Sequence, residues 1–252
     1  NSDAVKQIVQ AGLSTTSEVD AALPLWIVLI GQGTFDSRAA KFNLVGADFT
    51  ADDFAKWLAP CSRPMVIVQC AATSAPFLEL LSREGRVVIT STKSPQEQNF
   101  ARFGGFLAAA LTDPNADFDK DEQVSLLEAF LRASRLTEEY YTGDNRLATE
   151  HALIDDNGDR RGTRATAFAG VRPVREADSG ATLDGYNAHQ WQLIPGEHDI
   201  PLPPKLEQKR RELEVAVLQL RERKGELTAD EYYAALETLL VELARINLGR
   251  TR

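Results

Sequence analysis

Three short apolar runs govern what this chain can fold into: "LWIVLIG" (25–31), "MVIVQC" (65–70) and "RVVITST" (86–92). Each is continuous rather than alternating, so each must be covered on both faces. Helical patterns separate them. "TADDFAKWL" (50–58) offers Thr50 as an N-cap with Asp53 three residues on, and "SAPFLELLS" (74–82) tolerates Pro76 in its first turn. "NFARFGGFLAAAL" (99–111) and "VSLLEAFLRASRLTEEYY" (124–141) read as further helices, and "KFNLVG" (41–46) as a short strand. Buried strands alternating with amphipathic helices predict an α/β fold of three layers around a mainly parallel sheet. Residues 1–23 read as one or two polar helices.

Residues 155–200 carry Gly, Asp and Pro with weak periodicity, a loop region with a short strand expected at "QWQLI". "PLPP" (201–204) reads as a stiff hinge. Beyond it Leu206, Leu213, Leu220 and Leu227 recur every seventh residue, with Val217 between them. Gly225 is expected to stop this helix, and Thr228 with Glu231 to cap a second one lined by Leu236, Leu240, Leu243 and Ile246. The organisation expected is therefore an α/β domain over 1–200, with its core at 24–150 and a loop-rich extension at 151–200. A C-terminal α-helical hairpin over 201–252 follows, suited to contact with a protein partner.

The chain of 252 residues carries a net charge of -9. That acidity argues against sequence-independent nucleic-acid binding, which needs clustered Lys and Arg. No apolar run approaches the ~20 residues that span a bilayer. The first residues, "NSDAVKQIVQ", lack an initiator Met, which fits a processed or truncated N-terminus. The cysteines, Cys61 and Cys70, would lie at opposite ends of one strand. At ~3.3 Å per residue they would be roughly 20 Å apart, too far for a disulfide.

The strand ends carry the polar residues: Gly31-Gln32-Gly33, Gln69-Cys70 and Thr90-Ser91-Thr92. In a parallel sheet that edge gathers catalytic groups. This order resembles the caspase-like fold of caspases, legumain and gingipains, and most of all bacterial legumain-like proteins. There one strand ends in His-Gly and the next major strand in a nucleophilic Cys. Here "IGQG" stands for "IGHG", and "VIVQCAATSAPF" stands for the cysteine motif, over roughly residues 24–150. The resemblance implies a cysteine-peptidase platform, with Gln32 at the histidine position and Cys70 as the candidate nucleophile. A second register puts Ala72 at the nucleophile instead. Gln32 has no titratable group and cannot serve as a base. The remaining histidines, His151, His189 and His198, lie far along the chain. A catalytically silent domain acting by binding or scaffolding is therefore expected. The alternatives are a peptidase using Cys70 with a base such as His151, and a structural subunit of a larger assembly.

"DFDKDEQVSLLE" (117–128) has the spacing of an EF-hand calcium loop. Asp117, Asp119 and Asp121 hold positions 1, 3 and 5. Gln123 offers its carbonyl at 7, Ser125 stands at 9 and Glu128 at 12, where a bidentate carboxylate completes the shell. Glu122 replaces the glycine of position 6. "DDNGDRRG" (155–162) repeats part of the pattern with Asp155, Asn157 and Asp159, a weaker second site. Ca²⁺ is the expected cofactor, and calcium loops suit a periplasmic or other extracytoplasmic setting, with a cytoplasmic one as the alternative.

Overall fold

The computed structural model describes residues 1–13, 24–174, 183–194 and 202–248. The chain forms two compact units, Asn1–Ile194 and Pro195–Arg252. In the first, α1 (Ser2–Leu13) precedes β1 (Leu25–Leu29), β2 (Gln32–Phe35), β3 (Ala40–Asn43), β4 (Phe49–Thr50), α2 (Ala51–Leu58), β5 (Met65–Gln69) and α3 (Ala75–Leu81). Then come β6 (Arg86–Thr90), α4 (Phe103–Ala110), α5 (Leu126–Gly143), β7 (Leu153–Asp155), β8 (Phe168–Ala169) and β9 (Arg172–Pro173). The second helix allowed for in the N-terminal stretch would fall on 14–23, outside the described residues.

The main sheet has the order β1-β5-β6-β7. β1, β5 and β6 run parallel, and β7 joins β6 antiparallel, with Thr90 opposite Leu153. The pleat explains the continuous apolar runs. Val66, Val68, Val87 and Ile89 enter one core with Leu107 of α4 and Phe130 of α5. Met65, Ile67 and Val88 enter the other with Val9 of α1, Phe54 of α2 and Leu78 of α3. Successive side chains thus point to opposite cores, and the molecule is α/β in three layers, with helices on both faces of a mostly parallel sheet.

The strand expected at 41–46 does not join this sheet. β3 pairs antiparallel with β2 and β4 in a separate three-stranded ribbon. Its burial alternates, with Ala40 and Phe42 buried and Lys41 and Asn43 half-buried, as one covered face requires. The rings of Phe42 and Phe49, tilted to each other with centroids 5.4 Å apart, fasten the ribbon to the core around Phe54 and Phe77. Thr50 then caps α2 as the spacing implies. Its Oγ1 accepts from Asp53 N–H at 3.0 Å, and Asp53 accepts from Thr50 N–H at 3.0 Å. The strand expected at "QWQLI" is absent, because Ala188–Gln190 forms a 3-10 turn and the Trp191 carbonyl accepts from Leu126 N–H instead.

Arg86 has no counterpart in the sequence reading. It is buried, and its guanidinium donates to the carbonyls of Leu81 at 3.0 Å and Leu58 at 2.8 Å. These are the last residues of α3 and α2, whose C-terminal carbonyls lack helical partners. Burial lowers the Arg86 pKa to about 10, so the group stays charged at neutral pH.

The second unit is a pair of helices, α6 (Pro204–Glu222) and α7 (Ala229–Leu248), joined through a 3-10 turn at Arg223–Glu226. The expected capping box is present. Thr228 Oγ1 accepts from Glu231 N–H at 3.3 Å, and Glu231 accepts from Thr228 N–H at 3.0 Å. Two expectations need correction. Gly225 lies inside the 3-10 turn rather than ending α6 in a left-handed cap. Leu240 is 47% exposed and faces outward with Tyr233 and Val241, while Leu213 and Tyr232 are buried. Among the described residues, no helix is long and apolar enough to cross a membrane.

Candidate functional site

β5 ends at Gln69, and the chain turns out of the sheet at Cys70, whose N–H donates to the Leu29 carbonyl at 2.9 Å. The Cys70 thiol is buried in the core with Phe103 and Leu107. It lies so close to α4 that a Cβ on Gly104 would come within 2.8 Å of the sulfur. Burial pushes its pKa up to about 11, the reverse of what a nucleophilic thiolate needs. Cys70 and Cys61 are both free.

Gln32 opens β2, exposed, with its backbone in register with Asn43. The next residue explains the second glycine of "GQG". A Cβ on Gly33 would lie 2.1 Å from the Ala72 carbonyl oxygen, so only glycine admits this approach. The Gln32-Gly33 segment therefore runs against Ala72 and Thr73.

The rest of the edge is closed by its own hydrogen bonds. Ser74 N–H donates to Thr92 Oγ1 at 2.8 Å, and Thr92 N–H donates to Ser74 Oγ at 3.1 Å. Ser91 Oγ donates to the Gln69 carbonyl, and Thr90 Oγ1 to the Thr92 carbonyl, both at 3.1 Å. The Gln69 amide oxygen accepts from Ala71 N–H at 3.1 Å. Thr73 is buried at a φ of 55° with its hydroxyl unpartnered. His151 reaches this region but is held by Glu97, with Nδ1 at 2.5 Å from Oε1. Glu97 also offers its backbone carbonyl to Thr73 N–H at 2.9 Å. The edge thus holds amides, hydroxyls and methyls, and its acid–base pair is the Glu97–His151 contact.

The acidic loop adopts a turn built around Asp117. Its carboxylate accepts from the N–H groups of Lys120 at 2.7 Å, Asp121 at 3.2 Å and Glu122 at 3.3 Å. Asp121 accepts from Gln123 N–H at 2.9 Å. Ser125 caps α5: its Oγ accepts from Glu128 N–H at 3.2 Å. Glu128 is buried and accepts from Ser125 N–H at 2.9 Å and Phe118 N–H at 2.7 Å. One oxygen each of Asp117, Asp119 and Glu128 lie within 4.8 Å of one another. Among the described residues no other three carboxylate, thiolate or imidazole ligands converge so closely. These are hard oxygen donors, a set that fits a divalent cation such as Ca²⁺ or Mg²⁺. Asp121 stands outside the triad. Its pKa is raised by burial and by the charges of Asp119, Glu128 and Asp117. His189, not foreseen here, places Nε2 3.0 Å from Asp119 Oδ2.

The second loop behaves differently. Asp155 accepts from Gly158 N–H at 3.1 Å, Asn157 from Asp159 N–H at 2.8 Å and Asp159 from Arg161 N–H at 2.7 Å. One oxygen of each residue thus accepts from an N–H two or three residues on, as in a local turn, while Asp155 Oδ2 is buried without a hydrogen-bond partner among the described residues. The neighbour that sequence reading passed over is Asp156. It is buried and accepts from Gly185 N–H at 2.9 Å and Ala188 N–H at 2.7 Å. Its own N–H donates to Asp184 at 2.9 Å, and Asp184 also accepts from Thr163 Oγ1 at 2.5 Å. Burial pushes the pKa of both carboxyls up, and the charge of Asp156 adds to that of Asp184. No protein-family model, curated protein or solved structure matches the chain.

Proposed function

We propose that the first unit is a catalytically silent relative of the caspase-like cysteine peptidases and acts by binding or scaffolding. The observation that carries this reading is the contact of Gly33 with the Ala72 carbonyl. In this reading Gln32 holds the histidine position on the segment that Gly33 brings against the Ala72 backbone, and neither the Gln32 nor the Ala72 side chain titrates. The nearby thiol of Cys70 is buried and held protonated. In this reading the loop from Asp117 to Glu128 holds Ca²⁺ and fastens α5 to its preceding turn, which suits an extracytoplasmic setting. The helical pair then offers a protein partner the outward row of Tyr233, Leu240 and Val241. Incubation with a mixture of peptides varied before the cut site tests the central claim. No cleavage is expected. Cleavage that disappears in Cys70→Ala would overturn it in favour of a peptidase.

A further inference from the structure

A cavity of about 440 Å³ opens between α5 and the 164–170 segment, in the size range of small-ligand sites. It uses none of Gln32, Cys70, Asp117, Asp119 or Glu128. Phe103, Leu131, Ala152 and Phe168 give it apolar walls. Its polar groups divide into those already engaged and those left open. Glu150 is buried and fully engaged. It accepts from Arg102 N–H at 2.8 Å, Phe103 N–H at 3.0 Å and the Tyr141 hydroxyl at 3.1 Å. Arg135 pairs with Glu139 at 2.8 Å.

Thr137 Oγ1 donates to the Ala133 carbonyl at 2.8 Å, and Glu138 and Thr166 are exposed at the lining. Three further groups bear on a ligand. The Ser134 hydroxyl is buried without a hydrogen-bond partner among the described residues. His151 has Nδ1 on Glu97, which leaves Nε2 without a partner among the described residues. The Arg164 guanidinium, on the rim, has no carboxylate among the described residues. A planar guanidinium matches a carboxylate in a two-pronged contact, and apolar walls match a hydrocarbon body. We propose that this cavity binds a small amphipathic monocarboxylate, its carboxylate on Arg164 and its apolar part between Phe103, Leu131 and Phe168.

The test is calorimetric titration of the full chain with octanoate, with octanamide as the uncharged match. Octanoate should bind with one site per chain. Arg164→Gln should weaken it about tenfold, the loss of one charge-assisted hydrogen-bonding group. Octanamide should bind the parent and Arg164→Gln alike, and more weakly than octanoate binds the parent. Ser134→Leu, which places a larger side chain in the cavity, should abolish binding while the far-ultraviolet circular dichroism is retained. Octanoate binding that does not saturate, or that is equal in the parent and Arg164→Gln, would overturn the assignment. Neither outcome bears on peptide cleavage, so this proposal and the silent-peptidase reading fail separately.

Discussion

Glu122 sits at a φ of 69°, a conformation that glycine adopts freely and a residue with a Cβ does not. Lys120, two residues earlier, is at 65°. The chain thus turns with positive φ at the fourth and sixth positions of the loop, the sixth being the one an EF-hand gives to glycine. The strain of Glu122 lies in this backbone turn, so it bears on the stability of the fold. Glu122→Gly should raise stability in EDTA by about 0.5–1 kcal/mol in a denaturant titration. The extra midpoint gained on adding calcium should be nearly the same in parent and variant. In the parent, calcium at about a hundred times its Kd should add ~2.7 kcal/mol. Equal melting midpoints in calcium and EDTA would reduce the loop to a solvated helix start. A variant no more stable than the parent would show that Glu122 carries no strain.

At the scale of elements, what could be read from the sequence follows from whether the signal is local. β5 and β6 are legible because both faces of each are covered, which writes an unbroken apolar run; edge strand β1 writes one too, although Val28 on it is 47% exposed. The caps of α2 and α7 were legible because donor and acceptor lie three residues apart. The ribbon of β2, β3 and β4 was not, because "GQGTFD" buries no continuous face and pairs with residues beyond a turn. The phase of α7 was misread for a related reason. Leucines at 236, 240 and 243 suit a seam by spacing alone, yet Leu240 turns outward while Tyr232 is buried. The site shows the same division. The spacing of the acidic loop was visible, but His189 reaches Asp119 across 70 residues and Asp184 reaches Asp156 across 28, and no local pattern marks either. For the hairpin, Thr228→Ala should cost ~1 kcal/mol, since two N–H groups at the start of α7 lose their acceptors or the acceptor's orientation. Glu231→Gln should cost less, because an amide oxygen still accepts from Thr228. A chemical-denaturation series that ranks these variants in the opposite order would show that the box does not hold the helix start.

For the molecule as a whole, the buried acids of the first unit set a pH dependence opposite to that of a salt-bridged protein. Asp156 and Asp184 meet where the end of β7 packs on the 183–190 segment, and the carboxylate pair has backbone N–H groups and the Thr163 hydroxyl as partners. Both hold their proton more tightly folded than unfolded, because burial disfavours the ionised forms, with the charge of Asp155 adding at Asp156 and those of Asp156 and Asp155 at Asp184. Above the ordinary carboxylate value of 3.8 the unfolded chain gives up these protons first, so the folded state binds more of them. Stability contributed by the pair is therefore full below that value and falls as pH rises through the raised values. Asp53 works the other way. Its pKa is lowered by its bonds to Thr50, so its contribution is present above the ordinary value and lost in acid. The two trends together place the stability maximum in mildly acidic solution. Asp184→Asn isolates the buried pair. Its amide oxygen still accepts from Asp156 N–H, and its NH₂ donates to Thr163 as the protonated acid would. The parent should melt lower at about pH 9 than at about pH 5, and the variant should lose a smaller share of its midpoint over the same interval. Identical slopes for parent and variant would show that Asp184 is ionised in the folded protein and that its burial is offset by its hydrogen bonds.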